Sequence, residues 1–135
     1  MVFVVDFVTF RGVYRSIKTE KLNVPTEDGR RGILSNHMPI VLPLSVGVVN
    51  TCLDKKESYF AISDGILTFE NNKATILSDS ILNVEEIDNA RAEKQLTRAQ
   101  ERLEKATDQN EIMLAKASMA KALNKLDAKS KYGRR

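Results

Sequence analysis

At 135 residues the chain is close to the commonest domain size, long enough for one modest hydrophobic core and too short for a second large one. Its formal charge of +3 is unevenly spread: residues 1–83 balance nine Lys/Arg against nine Asp/Glu, whereas residues 84–135 carry twelve against nine. The basic half has Tyr132 as its one aromatic, which argues against a nucleic-acid reader, and a single cysteine, Cys52, rules out an internal disulfide and points to a reducing compartment.

The apolar start Met1-Val-Phe-Val-Val is interrupted by Asp6 and lacks a basic leader, so it does not read as a signal peptide. Short β-rich runs follow, bounded by turn residues: Val2 to Thr9, Ile17 to Val24, Ser45 to Leu53, Tyr59 to Ser63, Gly65 to Glu70 and Lys73 to Leu77. Their spacing predicts an antiparallel sandwich or barrel. The segment from Glu27 to Pro39, with Gly29 and Gly32 three apart, reads as the longest loop, and Glu70-Asn71-Asn72-Lys73 as a hairpin turn, because asparagine tolerates positive φ. The longest apolar stretch, Ile40 to Val49, contains Pro43 and falls far short of the ~20 residues of a membrane-spanning helix.

The grammar changes at Asn83. Residues 1–83 hold all three prolines, five of the six glycines and seven of the eight aromatics. Asn83 and Glu86 stand at capping-box spacing and predict a helix start. Ala92, Leu96, Ala99, Leu103 and Ala106 then recur at steps of four and three, and Ile112, Ala115, Met119, Ala122 and Leu126 repeat the period after a second cap signal, Asp108 with Glu111. Only Thr107 to Asn110 or so separates the two, so they predict an antiparallel hairpin. Alanine-rich seams bury little area, which makes this arm weakly held. Lys129, Lys131, Arg134 and Arg135 lie beyond the clear periodicity and read as a frayed, solvated end. The division is therefore a β-sandwich domain over residues 1–83 and a helical hairpin over residues 84–135.

No Gly-rich phosphate loop, no Ser/His/Asp ordering and no His/Cys metal cluster is present in the sequence, so neither a catalytic site nor a metal site is predicted. The lone histidine, His37, beside Met38 and Pro39, reads as a structural or interface residue. Asp88 and Arg91 at i, i+3 read by spacing alone as a surface ion pair, and Lys121 and Lys125 as a solvated helical edge.

The run Gly29-x-x-Gly32-Ile33-Leu34-x-Asn36-His37-x-Pro39-x-Val41, followed by Leu44 and Gly47-Val48-Val49, resembles the epsilon subunit of F-type ATP synthases. So do Val8-Thr9-x-x-Gly12 with Tyr14, Ala61-Ile62-Ser63-Asp64-Gly65, Thr75-Ile76-Leu77, and the Ile-Asp-x-x-Arg-Ala signature at Ile87-Asp88-Asn89-Ala90-Arg91-Ala92. The resemblance covers almost the full chain. It implies a non-catalytic rotor subunit of the central stalk, peripheral on the cytoplasmic face of the cell membrane, or on the stromal face of the thylakoid if plastid. In that family the sandwich binds the foot of the gamma subunit and rests on the ring of c subunits, and the hairpin either lies folded or extends into the alpha/beta catalytic head and blocks ATP hydrolysis.

By the same resemblance, Glu27, Asp28, Arg30, Arg31 and His37 belong to the c-ring and gamma interface. No cofactor is required; ATP, which some bacterial relatives bind on the folded hairpin, is expected here as a weak regulatory ligand of Ile87, Asp88, Arg91, Ala92, Arg98, Lys121 and Lys125. Two departures stand out. Arg30 occupies a position where many relatives carry an acid, so either the ring's partner loop differs or Glu27 and Asp28 have taken over the contact. Lys121 and Lys125 occupy positions where ATP-binding relatives carry arginines, which keeps the charge and loses the planar fork that grips phosphate. The alternative from another class is a free-standing regulator that uses the hairpin as a protein- or nucleic-acid-binding clip.

Overall fold

Alternating apolar residues dictate where each strand's buried face lies, and the computed structural model, which describes residues 1–133, shows ten strands sorted into two five-stranded sheets. The strands are β1 (Phe3–Thr9), β2 (Gly12–Thr19), β3 (Lys21–Thr26), β4 (Gly29–Leu34), β5 (Ile40–Leu44), β6 (Gly47–Leu53), β7 (Lys56–Ile62), β8 (Gly65–Glu70), β9 (Lys73–Ser78) and β10 (Ile81–Asn83). The first sheet runs β2-β1-β9-β8-β5 and the second β10-β7-β6-β3-β4. All pairs are antiparallel except β1 with β9, which are parallel.

The core lies between the sheets. Phe3, Val5, Phe7, Leu67, Phe69 and Ile76 come from the first, and Leu22, Val24, Ile33, Val49, Phe60 and Ile62 from the second; all are buried. Phe7 and Phe60 join the two sheets with ring centroids 4.4 Å apart. The hairpin turn expected at Asn71-Asn72 is present, with φ of 51° and 57°.

Three strand expectations need correction. The run Ile17 to Val24 is two strands, because the chain leaves the first sheet at Thr19 and enters the second at Lys21. The buried Thr19 hydroxyl donates to the carbonyl of Lys21 and accepts from the Cys52 N–H at 3.0 Å, which satisfies the backbone at this corner. Half of the loop expected from Glu27 to Pro39 is strand β4, paired residue for residue with β3. Strand β5, Ile40–Leu44, was not expected, and the strand expected from Ser45 to Leu53 starts at Gly47 as β6, in the opposite sheet to β5.

On the outer face of the first sheet the Asp6 carboxylate accepts from the Ser16 hydroxyl at 2.6 Å and pairs with the Lys73 ammonium at 3.0 Å. The Ser16 hydrogen bond, then Lys73, hold its pKa below the ordinary carboxylate value, against a smaller opposing effect of burial. A carboxyl whose folded pKa is depressed stabilises the fold above its unfolded value, and that contribution is lost as pH falls through the folded pKa. Asp6→Asn is accordingly expected to flatten the decline in stability between about pH 5 and pH 2, measured by urea denaturation at fixed ionic strength.

Residues Met1–Asn83 form one compact unit, and a second begins at Val84. In the second unit the helix start differs from expectation. Asn83 ends β10, Val84–Glu86 make a single 3-10 turn, and α1 spans Asn89–Lys105 with Asp88 as its N-cap. The Asp88 side chain accepts from the Arg91 N–H at 3.3 Å. Ile87 and Ala92, at the two positions of a hydrophobic staple, are both buried. Helix α2 spans Gln109–Tyr132, capped by Asp108, whose carboxylate accepts from the Glu111 N–H at 2.8 Å. Residues Ala106 to Asp108 alone connect the helices, which pack as a hairpin with Ala92, Ala99, Ala115 and Ala122 buried along the seam. Lys129 and Lys131 are not frayed: both lie in α2, and Lys131 pairs with Asp127 at 3.3 Å. Arg134 and Arg135 lie outside the described residues. Removal of the first cap by Asp88→Ala is expected to cost roughly 1 kcal/mol of hairpin stability, read as a lower helix-melting midpoint in circular dichroism.

Candidate functional site

Each unit carries a feature that a purely structural element would not need. In the first sheet, successive registers align Pro43 with Ile66, Ile66 with Leu77, Leu77 with Val8, and Val8 with Val13. This row crosses all five strands on the face turned away from the core. Ile66 is 47 % exposed, Leu77 50 % and Val13 64 %, and Phe10, in the β1–β2 turn, is 79 % exposed. Val13 holds its place because the β1–β2 register shifts between Phe7 and Val8, leaving Tyr14 as the extra residue. Strands that face water normally alternate apolar with polar; a continuous apolar row across a sheet marks a docking face. The signal was present in Gly65-Ile66-Leu67-Thr68-Phe69, where Leu67 and Phe69 fill the core and Ile66 occupies the opposite face without being polar.

The residues named for the ring and gamma interface do not form one cluster. Glu27 and Asp28 are exposed at the tip of the β3–β4 turn, which is closed by the Thr26 hydroxyl on the Gly29 carbonyl at 2.6 Å and by Gly29 at φ 109°. Arg30 is turned back onto its own sheet: its Nε donates to the Asn23 side-chain oxygen at 2.6 Å and a terminal nitrogen to the Asn23 carbonyl at 3.3 Å. Arg31 pairs with the buried Val24 and so shares the inner face, yet stays exposed because β4 is the sheet edge; an inward-facing charge there blunts edge-to-edge pairing. His37 lies beyond the other end of β4, roughly 20 Å of extended chain from the turn tip. Its Nδ1 meets the Met38 carbonyl at 2.7 Å, and its ring stands edge-on to Phe69 with centroids 5.9 Å apart.

In the hairpin, Arg98, Lys121 and Lys125 converge on a groove of about 260 Å³ between the helices, with Gln95, Arg102 and Ser118 beside them and Ala99 and Ala122 also lining it. Lys125 donates to the Gln95 side-chain oxygen at 3.3 Å. Its burial, then the nearby Arg91 and Lys121 charges, push its pKa below the ordinary lysine value. Ile87, Asp88, Arg91 and Ala92 do not line this groove; they build the helix start instead, with the Arg91 N–H on the Asp88 cap. Arg102 and Ser118 were missed from the sequence, although Arg102 follows Arg98 by four and Ser118 precedes Lys121 by three, the spacings that share a helical face. Among the described residues no group of three His, Cys, Asp or Glu is arranged to hold a metal, and no helix is long and apolar enough to cross a membrane.

Comparison with known proteins assigns both units. Residues 2–84 match the family described as ATP synthase, Delta/Epsilon chain, beta-sandwich domain, and residues 85–130 match ATP synthase, Delta/Epsilon chain, long alpha-helix domain. The chain belongs to the epsilon-subunit family of F-type ATP synthases. Similar epsilon chains include one from Caldicellulosiruptor bescii, 40 % identical over 114 residues that cover 84 % of this chain and 83 % of the relative, and one from Pediococcus pentosaceus, 35 % identical over 130 residues that cover 93 % and 94 %. Among solved structures, a chain of the Euglena gracilis mitochondrial ATP synthase (OSCP/F1/c-ring) superposes with TM-score 0.74 at 18 % identity, covering 93 % of this chain and 79 % of that one. A chain of the Tetrahymena thermophila mitochondrial ATP synthase central stalk and c-ring superposes with TM-score 0.65 at 13 % identity, covering 93 % and 95 %. At those identities the likeness concerns the fold. As a member of the epsilon family, the chain is a central-stalk component of an F-type ATP synthase.

Proposed function

We propose that this epsilon subunit docks on the gamma subunit through the apolar row of the first sheet and acts without catalysing a reaction itself. The row Pro43–Ile66–Leu77–Val8–Val13 carries the reading, because a five-strand apolar face left in water costs free energy that a partner surface recovers. The turn tip at Glu27 and Asp28 is the segment that meets the polar loops of the c ring. With the Arg30 guanidinium bonded to Asn23, the two acids are the charges free to project from that tip, and this favours Glu27 and Asp28 over Arg30 as the ring contact. Through these two contacts the subunit couples ring rotation to the catalytic head from the cytoplasmic side of the membrane.

The hairpin is the regulatory part: extended along gamma, its basic groove face docks on the alpha/beta head and inhibits ATP hydrolysis, and a bound nucleotide holds it folded. Arg98, Lys121 and Lys125 face one groove, as a polyphosphate ligand requires, and the small alanines of the seam keep the arm detachable. The replacement of two arginines by lysines predicts weak ATP affinity. Lys121→Arg with Lys125→Arg is expected to tighten ATP binding severalfold in isothermal titration, through regained bidentate contacts.

Docking is tested by size-exclusion co-elution of the full chain with gamma. A 1:1 complex supports the reading. Two separate peaks at micromolar concentration would contradict docking on gamma through this row.

A further inference from the structure

The β1–β2 turn carries a side chain that turn geometry does not call for. Tight hairpin turns favour glycine, asparagine, aspartate or serine, yet Thr9-Phe10-Arg11-Gly12 places a phenylalanine at the tip, 79 % exposed. The turn is fixed around it. The Thr9 hydroxyl accepts from the Arg11 N–H at 3.2 Å, and Gly12 closes the turn at φ 110°, a conformation that residues with a side chain rarely adopt. The Arg11 guanidinium lies over the Phe10 ring, 5.5 Å from its centroid, and among the described residues no carboxylate pairs with it.

A lone exposed phenylalanine is ordinary on a protein surface, but this one is not isolated. Val8 and Val13, aligned across the strands just before the turn, end the apolar row, and the tip stands directly beyond that pair. Arg11 decides which partner the tip suits. The β1–β2 and β3–β4 turns leave the same end of the sandwich: registers carry Val8 through Leu77 and Ile66 to Pro43, and the nearby Ser45 N–H donates to the carbonyl of Pro25, beside the second turn, at 3.1 Å. The two tips are opposite in charge, with Arg11 on one and Glu27 and Asp28 on the other. A basic surface that suits the acidic tip repels Arg11, so the tips are built for different partners. An arginine beside an exposed aromatic on a preorganised turn has the composition of an interface anchor.

We propose that Phe10 and Arg11 anchor the docking face on gamma: the ring enters an apolar pocket of that subunit, and the guanidinium pairs with a carboxylate at the pocket's rim. This rests on the reading that the first sheet docks on gamma, and it adds an element of defined charge to a row that is otherwise apolar.

The test is titration calorimetry of the full chain against gamma at low and at physiological salt. Phe10→Ala should weaken binding about 30-fold, and Phe10→Tyr only slightly, because the ring is kept. Arg11→Glu should weaken it about tenfold at low salt, with the difference shrinking as salt rises, whereas Arg11→Lys should keep most of the affinity and its salt dependence. Both positions are exposed, so urea midpoints of the free variants should match the parent. Full affinity in Phe10→Ala and Arg11→Glu, beside a loss in Ile66→Asp, would overturn the anchor while leaving the docking face in place. Unchanged gamma affinity with poorer retention on the c ring would also overturn it, by assigning the tip to the ring. Absence of binding by the unaltered chain would overturn the anchor and the docking face together.

Discussion

Ile66→Asp should weaken gamma binding by roughly 2–4 kcal/mol, on the order of 30- to 1,000-fold, with little change in the stability of the free chain. Ile66 lies at the second position of the apolar row, aligned with Pro43 on one side and Leu77 on the other. In the free protein it is 47 % exposed, so a carboxylate placed there remains hydrated and the fold loses only modest packing. In a complex that covers the row, the same carboxylate is stripped of water against Leu77 and Pro43, with no cation among its aligned neighbours to receive it. Titration calorimetry against gamma reads the affinity, and urea denaturation of the free variant shows whether the fold is intact. The paired substitution Ile66→Leu, which preserves the surface, should bind normally. Unaltered affinity in Ile66→Asp would move the gamma contact off this face.

Phe60→Ala should destabilise the sandwich by about 3–5 kcal/mol, a large fraction of the 5–15 kcal/mol available to a domain of this kind. Phe60 is 1 % exposed and packs its ring against Phe7, which is fully buried in the opposite sheet. Truncation leaves a cavity at the place where the two sheets meet, and the strands cannot collapse into it without disturbing the registers of β1 and β7 on either side. Phe60→Leu should cost less, because much of the volume is kept. Urea midpoints with an unchanged slope would report these differences as true stability changes. The hairpin helices, a separate compact unit, should melt independently of the substitution.

The division at Asn83 was legible because it follows from composition: turn-formers and aromatics end where the alanine-rich period begins. The helical seam was equally plain, since Ala92, Ala99, Ala115 and Ala122 recur at steps that the 3.6-residue period requires. Strand β4 was hidden for a physical reason. Gly29, Arg30, Arg31 and Gly32 have poor β propensity, and the segment is extended because β3 offers it a full ladder of partners, which local sequence does not reveal. The fused reading of β2 and β3 failed at Thr19, where a buried hydroxyl rather than glycine or proline turns the corner between sheets. The helix start was misplaced because two capping signals lie five residues apart; Asp88 wins, with Ile87 and Ala92 buried on either side of it.

For the candidate sites, the family resemblance named Arg98, Lys121 and Lys125, which spacing alone reads as a solvated edge or does not single out, but not Arg102 or Ser118, which line the same groove only when two helices face each other. Sequence reading missed the docking row altogether. That row is assembled from single residues on five strands, and its continuity depends on register, including the shift that holds Val13 opposite Val8. Conversely, the Ile87 to Ala92 signature has a complete structural occupation as a capped and stapled helix start, so its presence in a sequence does not by itself imply a ligand.

The pairing of a docking sandwich with a regulatory arm is tested most directly by ATP hydrolysis in a reconstituted catalytic head carrying either the full chain or residues 1–86. The shorter chain keeps β10, whose Ile81 is buried in the sandwich core, and should assemble with gamma as the full chain does. At low ionic strength, hydrolysis should be severalfold faster with residues 1–86 than with the full chain. The difference should shrink as salt screens the charge attraction that the proposed docking draws from Arg98, Lys121 and Lys125. Equal rates with equal assembly at low salt would contradict the regulatory role of the hairpin, and failure of residues 1–86 to assemble would contradict the docking role of the sandwich.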